Sequence, residues 1–428
     1  MSEKFDAVVV GAGPAGSTAA YVMAKAGLNV VLIERGKYAG SKNMSGAQLF
    51  SAPLEKIIPN FWNEAPVERR VIGNRIVLLS EKSHVAIDFR TDEFNKHPNS
   101  FTVLRAKFDQ WLAKKAEEAG AMVITNYRVD DVIKENGKVT GVVVGSDKIP
   151  ANVVIAADGA LSFIAEKAGL RGPLRDKQFA VGVKEIIELP KEVIEERFNL
   201  DEDEGITFHF VGDCTMGMQG GAILYTNKES LSLGIVVLIR DLKERQIQVA
   251  DVVEHFKQHP FVKRLIKKGN IIEYSAHIIP ESGIHMMPRL YSDGILVVGD
   301  AAGFTLNSGF LQRGMDFAIE SGALAAKAVI DAHKKNDYSA STLSIYKRYL
   351  EESFVLRDLR TFQKAPLFME NKRIYNIYPQ LVCDVFERIM KIDGTPKQLT
   401  YKILRNAMKG KVSLLTLIKD GLGGKGAL

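Results

Sequence analysis

Three glycines and one acid near the start of the sequence have the types and spacing of a dinucleotide-binding turn. Gly11, Gly13 and Gly16 follow an apolar run, and Glu34 ends a second apolar run. The first glycine permits a sharp turn, the second lets the backbone approach a pyrophosphate, and the third lets a helix pack closely on a strand. The start of that helix offers unpaired N–H groups and a positive dipole end to phosphates. We therefore predict that this stretch binds the ADP half of a dinucleotide, with Glu34 accepting hydrogen bonds from the ribose; an ordinary tight turn is the alternative.

Two later apolar runs also end in an acid beside a glycine. Asp158 and Gly159 follow one run, and Gly299 and Asp300 follow the other, before a glycine-bearing turn and a predicted helix over 315–330. The three acids meet at one edge if the sheet is doubly wound, because ligands bind at the carboxyl ends of its strands. An NAD-only dehydrogenase needs just the first element. A second helix start and a further carboxylate suit a longer ligand such as FAD.

The elements that must position these residues are predicted from periodicity and turn signals. Apolar residues at helical spacing from Leu104 predict a helix ending near Gly120, with Arg105 at its start, where it reaches a phosphate or stays exposed. Strand signals follow one another over 171–270, which indicates a mixed or antiparallel second sheet. The predicted fold is α/β (α+β overall): a discontinuous Rossmann-like FAD-binding domain, an inserted mixed or antiparallel sheet domain, and a helical C-terminal region.

The expected domain division follows from these signals. We assign 1–80, 100–170 and 275–335 to the FAD-binding domain. We assign 81–99 with 171–274 to a substrate domain, and 336–428 to the helical region, which would dock a partner or a membrane.

Composition narrows the class of protein. The 428 residues contain 57 Lys and Arg against 51 Asp and Glu, a net charge of +6, which suits an acidic partner, an anionic membrane surface or an ordinary soluble enzyme. The two cysteines lie far apart without metal-ligand spacing, so a disulfide-built extracellular protein is disfavoured. No secretory leader or membrane-spanning stretch is recognised. We expect a cytoplasmic protein, peripheral on the inner face of the cell membrane, and no nucleic-acid partner.

Several motifs together resemble a known class. VVVGAGPAG with a following ER, LRAKFDQWL, IAADGA and VVGDAAGFTLNSGFLQRGMDFAIESG resemble the glutathione-reductase-2 class of FAD proteins, which includes hydroxybenzoate hydroxylase and geranylgeranyl reductase. SKNMSGAQLF, EYSAHIIPESG and GMDFAIESG carry a closer resemblance, to electron transfer flavoprotein-quinone oxidoreductases of the FixC type.

The resemblance implies FAD as cofactor and a set of binding residues. Glu34 and the glycine turn would hold the ADP moiety, Arg105 would brace the phosphates, the backbone near Val129 would flank the adenine, and Asp300 would bind the ribityl or pyrophosphate region. The full cofactor-binding set comprises Gly11, Gly13, Pro14, Ala15, Gly16, Glu34, Arg35, Ser45, Gly46, Arg105, Val129, Asp158, Gly159, Gly299, Asp300, Gly309, Gly314 and Met315. Ser45, Gly46 and the turn 307–314 would lie near the isoalloxazine. Because electrons pass through the flavin, no catalytic nucleophile and no metal ligand are expected in the chain.

The resemblance also implies partners. Larger members carry an iron-sulfur cluster, which normally needs four cysteine thiolates that this chain cannot supply. A separate ferredoxin-like FixX-type subunit would carry it, alongside electron-transfer flavoprotein subunits of the FixA and FixB type and a membrane quinone. Two alternatives stay open: an NAD(P)H-dependent flavin reductase or monooxygenase of the geranylgeranyl reductase or hydroxylase type, and a flavin-bearing structural subunit.

Two stretches are candidates for contacts beyond the flavin. The strands over 208–225 are apolar and rich in methionine and glycine, which suits a quinone pocket or plain sheet core. His277 is a candidate for quinone contact or an ordinary buried histidine. The tail 401–418 mixes basic and apolar residues and would lie on a membrane, dock a partner subunit or form a plain packed helix.

Overall fold

The computed structural model describes residues 4–428, which alternate strands and helices over the first three quarters of their length. The strands are β1 (Phe5–Val10), β2 (Val30–Glu34), β3 (Ala47–Phe50), β4 (Val67–Leu79), β5 (His84–Arg90), β6 (Ser100–Val103), β7 (Met122–Thr125), β8 (Asp131–Glu135), β9 (Lys138–Val144), β10 (Asp147–Ala156), β11 (Phe179–Glu188), β12 (Glu204–Gly212), β13 (Gly220–Thr226), β14 (Ser230–Leu238), β15 (Asn270–Pro280), β16 (Tyr291–Ser292), β17 (Ile295–Val297), β18 (Leu306–Asn307) and β19 (Gln312–Arg313).

Helices cover both sheets and form the C-terminal region. They are α1 (Pro14–Lys25), α2 (Ala52–Glu55), α3 (Glu93–Lys96), α4 (Arg105–Glu118), α5 (Phe163–Lys167), α6 (Lys191–Phe198), α7 (Ile239–Arg245), α8 (Val249–Gln258), α9 (Pro260–Leu265), α10 (Met315–Lys335), α11 (Ala340–Leu343), α12 (Ile345–Glu352), α13 (Phe354–Thr361), α14 (Ala365–Phe368), α15 (Arg373–Asn376), α16 (Tyr378–Met390), α17 (Thr400–Met408) and α18 (Leu414–Lys425).

The first sheet is parallel at its centre, in the order β17-β10-β1-β2-β7. β1 lies between β2 and β10, with Ala7 opposite both Val30 and Val153. The central strands are buried apolar runs, as expected of strands covered by helices on both faces. β8 and β9 form a hairpin, and β9 pairs with the first residues of β10. The doubly wound layer that the glycine turn and the acids predicted is confirmed.

The second sheet is mixed, with the path β15-β11-β14-β13-β12-β4-β6-β3 and β5 paired to β4. One face is apolar: Val183, Phe208, Leu224 and Leu233 pack with helices α6, α8 and α9 in a separate core. Residues directly opposite each other on paired strands lie on the same face of the sheet. The register of the strands therefore also determines which residues lie on the other face. That other face is turned toward the first sheet.

The sheets do not follow the predicted domain boundaries. β3, β4 and β6 lie in the segments 1–80 and 100–170 assigned to the FAD-binding domain, yet they pair in the second sheet. β15 also crosses the boundary set at 274/275. The reason is physical: β4 hydrogen-bonds along β12, whose sequence is distant, so local patterns carry no information about that pairing.

The C-terminal region is helical, as predicted, and its net charge is as large as that of the whole chain. Residues 365–428 contain 11 Lys and Arg and five Asp and Glu, so their net charge of +6 equals that of the whole sequence. Helices α16 and α17 pack through Leu381, Ala407 and Met408. Within residues 4–428, no helix is long and apolar enough to cross a membrane.

Candidate functional site

A cavity of about 860 Å³ lies where the carboxyl ends of the parallel strands meet the second sheet. Its wall has two parts, the glycine side and the sheet side. The glycine side is formed by Gly11, Gly13, Glu34, Arg105 and Val129. The sheet side is formed by Lys184, Tyr225, His277 and Glu281. This position is the one expected for a ligand in a doubly wound sheet.

Most of the predicted site residues border this cavity. Those that line it are Gly11, Gly13, Pro14, Ala15, Glu34, Arg35, Arg105, Val129, Asp158, Gly159, Asp300, Gly314 and Met315. Those that lie outside its lining are Gly16, Ser45, Gly46, Gly299 and Gly309. The elements separated in sequence are therefore brought together.

The glycine turn leaves bare backbone facing the cavity. Gly11 has φ +101°, and a Cβ there would lie 2.4 Å from the carbonyl oxygen of Ala157. A Cβ on Gly13 would have open space, with its nearest neighbour, the Arg105 guanidinium, 4.0 Å away. A Cβ on Gly16 would lie 1.9 Å from the Gly11 carbonyl oxygen. The structure thus forms a cradle at Gly13, and Gly16 serves helix packing rather than the cavity wall.

Glu34 is fixed in place by two backbone donors. The N–H groups of Ala12 and Gly36 donate to its two carboxylate oxygens at 2.9 and 2.7 Å. A carboxylate has about four acceptor positions, so half of them remain for a ligand at the cavity. This arrangement fits recognition of paired ribose hydroxyls.

Arg105 is held by a bidentate ion pair at the start of α4. Its Nε and Nη2 atoms donate to the Asp109 carboxylate at 2.8 and 2.7 Å, and Asn43 donates to the same carboxylate at 3.0 Å. This pairing orients the guanidinium beside Gly13, where a pyrophosphate would be bound. Asp300 lies on the same cavity, and burial raises the pKa of its carboxyl although the charge of Arg105 opposes the increase.

Asp158 has a different environment from Asp300. Ser162 Oγ and the Ile164 N–H donate to its two carboxylate oxygens at 2.8 and 3.0 Å, at the start of α5. Burial raises the pKa of this carboxyl, and the two hydrogen bonds oppose the increase. The side chain therefore organises a helix start, although Asp158 also lines the cavity.

Three predicted glycines act in packing. A Cβ on Gly299 would lie 3.0 Å from the Ala15 side chain, so this turn lies directly on α1. A Cβ on Gly46 would lie 2.2 Å from Ser232 Oγ on the second sheet. Gly309 has φ +81° and faces Met369, at the edge of the C-terminal region.

The face of the second sheet that carries the sheet side contains further buried polar residues, and sequence reasoning singled out neither Lys184, Thr207 nor Ser232. Lys184, Thr207, His209, Tyr225 and Ser232 are buried on the face turned from the apolar core. Burial, followed by repulsion from the nearby Arg105, lowers the pKa of Lys184 to about 7. The adjacent pair Lys184 and Glu185 inside the otherwise apolar stretch 179–187 was the signal that could have indicated a buried charge in this strand.

Two further titratable groups border this side. Burial raises the pKa of Glu281 to about 7. Burial, with the charges of Arg105 and Arg35, lowers the pKa of His277. His277 does line the cavity, whereas most of the other suggested pocket, over 208–225, does not. Phe208 and Phe210 pack in the apolar core of the second sheet and do not form a pocket.

Comparison with known proteins first defines a class. Residues 6–172 match a family model described as FAD dependent oxidoreductase, and residues 95–328 match a second model with the same description. The matched segments contain the glycine turn, Glu34, Arg105 and Asp300. The protein is an FAD-dependent oxidoreductase.

The family follows from the C-terminal region and from full-length relatives. Residues 365–428 match the ETF-QO/FixC family C-terminal domain. The Probable electron transfer flavoprotein-quinone oxidoreductase YdiS of Escherichia coli K12 is 48% identical over 427 residues, covering 100% of this chain and 99% of the relative. Protein FixC of the same strain is 47% identical over 427 residues, covering 99% of each. The chain belongs to the electron transfer flavoprotein-quinone oxidoreductase/FixC family.

A solved structure supports the same architecture. The geranylgeranyl bacteriochlorophyll reductase-like protein of Thermoplasma acidophilum has a TM-score of 0.73 and 26% identity, covering 98% of this chain and 99% of that chain. The cradle at Gly13, the two-donor anchor of Glu34 and the lining of one cavity by both Glu34 and Met315 fit FAD. When bound, FAD supplies the electron-transfer chemistry, and the protein supplies its position and electrostatic environment.

Proposed function

We propose that this FAD-dependent oxidoreductase transfers electrons between an electron-transfer flavoprotein and a membrane quinone, as a subunit of a FixABCX-like complex. The observation that carries the proposal is the 48% identity, over the full chain, to a relative whose name specifies electron transfer flavoprotein-quinone oxidoreductase. Subunits of the FixA and FixB type would exchange electrons with the flavin, and a ferredoxin-like FixX-type subunit would carry an iron-sulfur cluster. The quinone completes the electron path.

The proposed placement of FAD uses both sides of the cavity. Glu34 holds the adenosine ribose and the backbone at Gly13 receives the pyrophosphate, which Arg105 braces. The isoalloxazine lies between the start of α10 at Met315 and the sheet side, where the first-turn N–H groups of α10 favour negative charge. Each of these residues lines the same cavity, which supports the placement.

The cysteines support a separate cluster-bearing subunit. The chain has two, Cys214 and Cys383, and both are buried. Burial raises the pKa of the Cys214 thiol, which opposes the thiolate form that binds iron. A cubane cluster normally needs four thiolates, so the partner must supply them.

The C-terminal region supports a location on an anionic membrane surface at the inner face of the cell membrane. Residues 365–428 carry the net charge of +6, and apolar side chains stand exposed among these cations. Leu415 is 81% exposed and Ile392 is 80% exposed. Basic and apolar side chains on one surface are typical of interfacial binding to anionic lipid. Docking of a partner subunit on the same surface is the competing interpretation.

Electron-donor preference tests the function. The purified holoprotein is mixed anaerobically with a reduced electron-transfer flavoprotein and a soluble quinone analogue, or with NADPH, while flavin absorbance and quinone reduction are followed. We expect quinone reduction only with the flavoprotein donor, with FAD as the released flavin and no stoichiometric iron in the isolated chain. Rapid NADPH oxidation coupled to hydroxylation or reduction of an isoprenoid would instead support the reductase or monooxygenase alternative.

Vesicle binding tests the location. Leu415→Ser combined with Ile418→Ser removes exposed apolar contacts from α18, and we expect weaker sedimentation with phosphatidylglycerol vesicles at unchanged FAD content. Ile87→Ser, at an exposed apolar position on β5, is the matched control and should bind vesicles normally. Unchanged vesicle binding with lost capture of the partner subunits would favour partner docking on this surface.

A further inference from the structure

Lys184 is a buried cation without a carboxylate partner. It lies on β11, is 8% exposed, and borders the cavity. Its Nζ donates to the carbonyl oxygen of Gly46, and it lies 5.5 Å from the centre of the Tyr225 ring. Within residues 4–428, no Asp or Glu oxygen approaches Nζ to ion-pair distance. Such burial of an uncompensated charge is costly, so its presence needs an explanation.

Arg69, another buried cation, is satisfied more fully. Arg69 donates to the carbonyl oxygens of Asn227, Glu204 and Lys228 at 2.7 to 3.1 Å and pairs with Glu195 at 3.1 Å. Such a guanidinium holds strands together. Lys184, with one carbonyl acceptor, differs in having donors left over at a cavity.

The backbone is shaped to admit this lysine. Gly234 on β14 lies opposite Lys184 across the strand pair. A Cβ on Gly234 would lie 2.6 Å from Lys184 Cγ, so the missing side chain leaves the room that the lysine stem occupies. The position of the lysine stem is therefore set by the sheet, and the ammonium at its end contacts the carbonyl oxygen of Gly46, directly before β3.

We propose that Lys184 is the charge-stabilising residue of the flavin site, its ammonium offsetting the negative charge that the isoalloxazine gains on reduction. Two-electron reduction of FAD with uptake of one proton adds one negative charge to the ring system, and a nearby cation favours that form. The electrons come from the donor of the oxidoreductase reaction, and the proton comes from solvent. The proposal rests on the placement of FAD given above, not on the identity of the electron donor or acceptor.

The charged and titratable groups around Lys184 are consistent with this assignment. Arg105 on α4 is paired with Asp109, and Tyr225 on β13 faces the ammonium. Burial raises the pKa of Tyr225 and lowers that of His277, which favours the neutral form of both side chains. The carboxyls of Glu281 and Asp300 border the same cavity, but burial raises the pKa of both, which favours their neutral forms, and neither forms an ion pair with Lys184.

The midpoint potential of the bound FAD tests the proposal. It is measured by mediated electrochemical titration of the holoprotein, without flavoprotein partner or quinone, for the wild type, Lys184→Met and Lys184→Arg. We expect a lower potential for Lys184→Met, because the reduced ring loses its cation, and a potential close to wild type for Lys184→Arg. Equal potentials for the wild type and Lys184→Met, at equal FAD content, would overturn the proposal.

The pH dependence separates charge from structure. Burial lowers the pKa of Lys184 from 10.5 to about 7. Burial of this amine therefore destabilises the fold at neutral and acidic pH, and the destabilisation disappears above the pKa that the amine has in the unfolded chain. Lys184→Met should therefore raise the Tm at neutral pH, and the gain should fade toward alkaline pH. The difference in FAD potential should also narrow as the amine deprotonates. A lowered Tm at all pH values, with an unchanged potential, would assign Lys184 a merely structural role.

Two variants complete the design. Lys167→Met removes an exposed lysine that lines the same cavity on another element, α5, and should leave the potential unchanged. If Lys184→Met is isolated without FAD, Gly234→Ala takes its place, because the added Cβ displaces the lysine stem, and a lower potential is again expected. A wild-type FAD potential in Gly234→Ala would then count against the proposal. Failure to reduce quinone would refute the proposed function alone, since this measurement uses neither partner.

Discussion

The glycine side and the sheet side of the cavity bind through different means. The glycine side presents backbone N–H groups, one carboxylate that Ala12 and Gly36 hold in place, and the Arg105 guanidinium that Asp109 holds in place. The sheet side presents buried ionisable side chains, among which Lys184 and Glu281 have pKa values near 7. Fixed dipoles suit a ligand portion whose charge never changes, whereas titratable groups respond to a change of charge. The difference separates holding a cofactor from tuning it.

The largest expected effect is at the start of α1, directly behind the glycine side. Gly16→Ala places a Cβ 1.9 Å from the Gly11 carbonyl oxygen, so either α1 or the turn must move. We expect protein that is isolated without FAD or fails to fold, measured by flavin absorbance per chain. Gly421→Ala is the control, because Gly421 also lies in a helix, α18, and has no atom within 4 Å of its added Cβ. Normal FAD content in Gly16→Ala would contradict the packing role of this glycine.

The next effect concerns the carboxylate of the same side. Glu34→Ala removes an acceptor of charge-assisted hydrogen bonds, each of which contributes about 1.5–3 kcal/mol. We expect FAD affinity to fall by about 10- to 100-fold, measured by equilibrium binding to the apoprotein. Glu118→Ala, at an exposed site on α4, should bind FAD as the wild type does. Unchanged affinity in Glu34→Ala would remove the ribose assignment.

The sheet side should instead respond to pH. Because the pKa of Glu281 is raised to about 7, the stabilisation it provides is present at acidic pH and is lost as pH rises through that value. Glu281→Gln should raise the stability of the holoprotein by about 1–3 kcal/mol near pH 8 and by little near pH 5. Thermal unfolding at the two pH values measures this gain. Glu188→Gln, at an exposed position on β11, should show no such dependence; a pH-independent difference in Glu281→Gln would argue against its titration.

The smallest expected effect distinguishes Asp158 from Asp300, the two aspartates that follow central strands of the first sheet. Asp158→Asn weakens the cap of α5 and should lower stability by about 1 kcal/mol, with FAD affinity nearly unchanged. Asp300→Asn should weaken FAD binding, because its carboxylate faces the cavity. Calorimetry and FAD titration of the two variants measure the contrast. Loss of FAD in Asp158→Asn alone would reverse these roles.

The glycine side could be predicted from sequence because its parts are local. Gly11, Gly16 and Glu34 lie within one strand-helix-strand unit, and their spacing reports the backbone geometry directly. The doubly wound core, the second sheet and the helical C-terminal region were likewise predicted from periodicity and are confirmed. The presence of a glycine, however, does not tell whether that residue lines the cavity or packs against another element. Gly46 and Gly299 lie outside the cavity lining and pack against neighbouring residues.

The sheet side could not be predicted in the same way. Lys184 and Tyr225 come from distant strands that the register of the second sheet brings to one face, and Glu281 follows β15 in the loop that borders the same cavity. The membership of β4 in that sheet is equally non-local, which is why the domain boundaries differed. Phe208 and Phe210, in the stretch suggested as a quinone pocket, alternate along β12 with residues of the opposite face of the sheet. Alternation alone does not tell which of the two faces packs in the apolar core.

The contact between α1 and α10 also has a consequence for how the protein is made. Gly322 packs so closely that its Cβ would lie 2.2 Å from the carbonyl oxygen of Ala15, although 307 residues separate the two positions. At ribosomal rates of about 5–20 residues per second, roughly 15–60 s pass between their synthesis. During that time the glycine turn lacks the neighbour that covers it. We therefore expect the nascent chain to depend on chaperones, and FAD to enter only after α10 has left the ribosome.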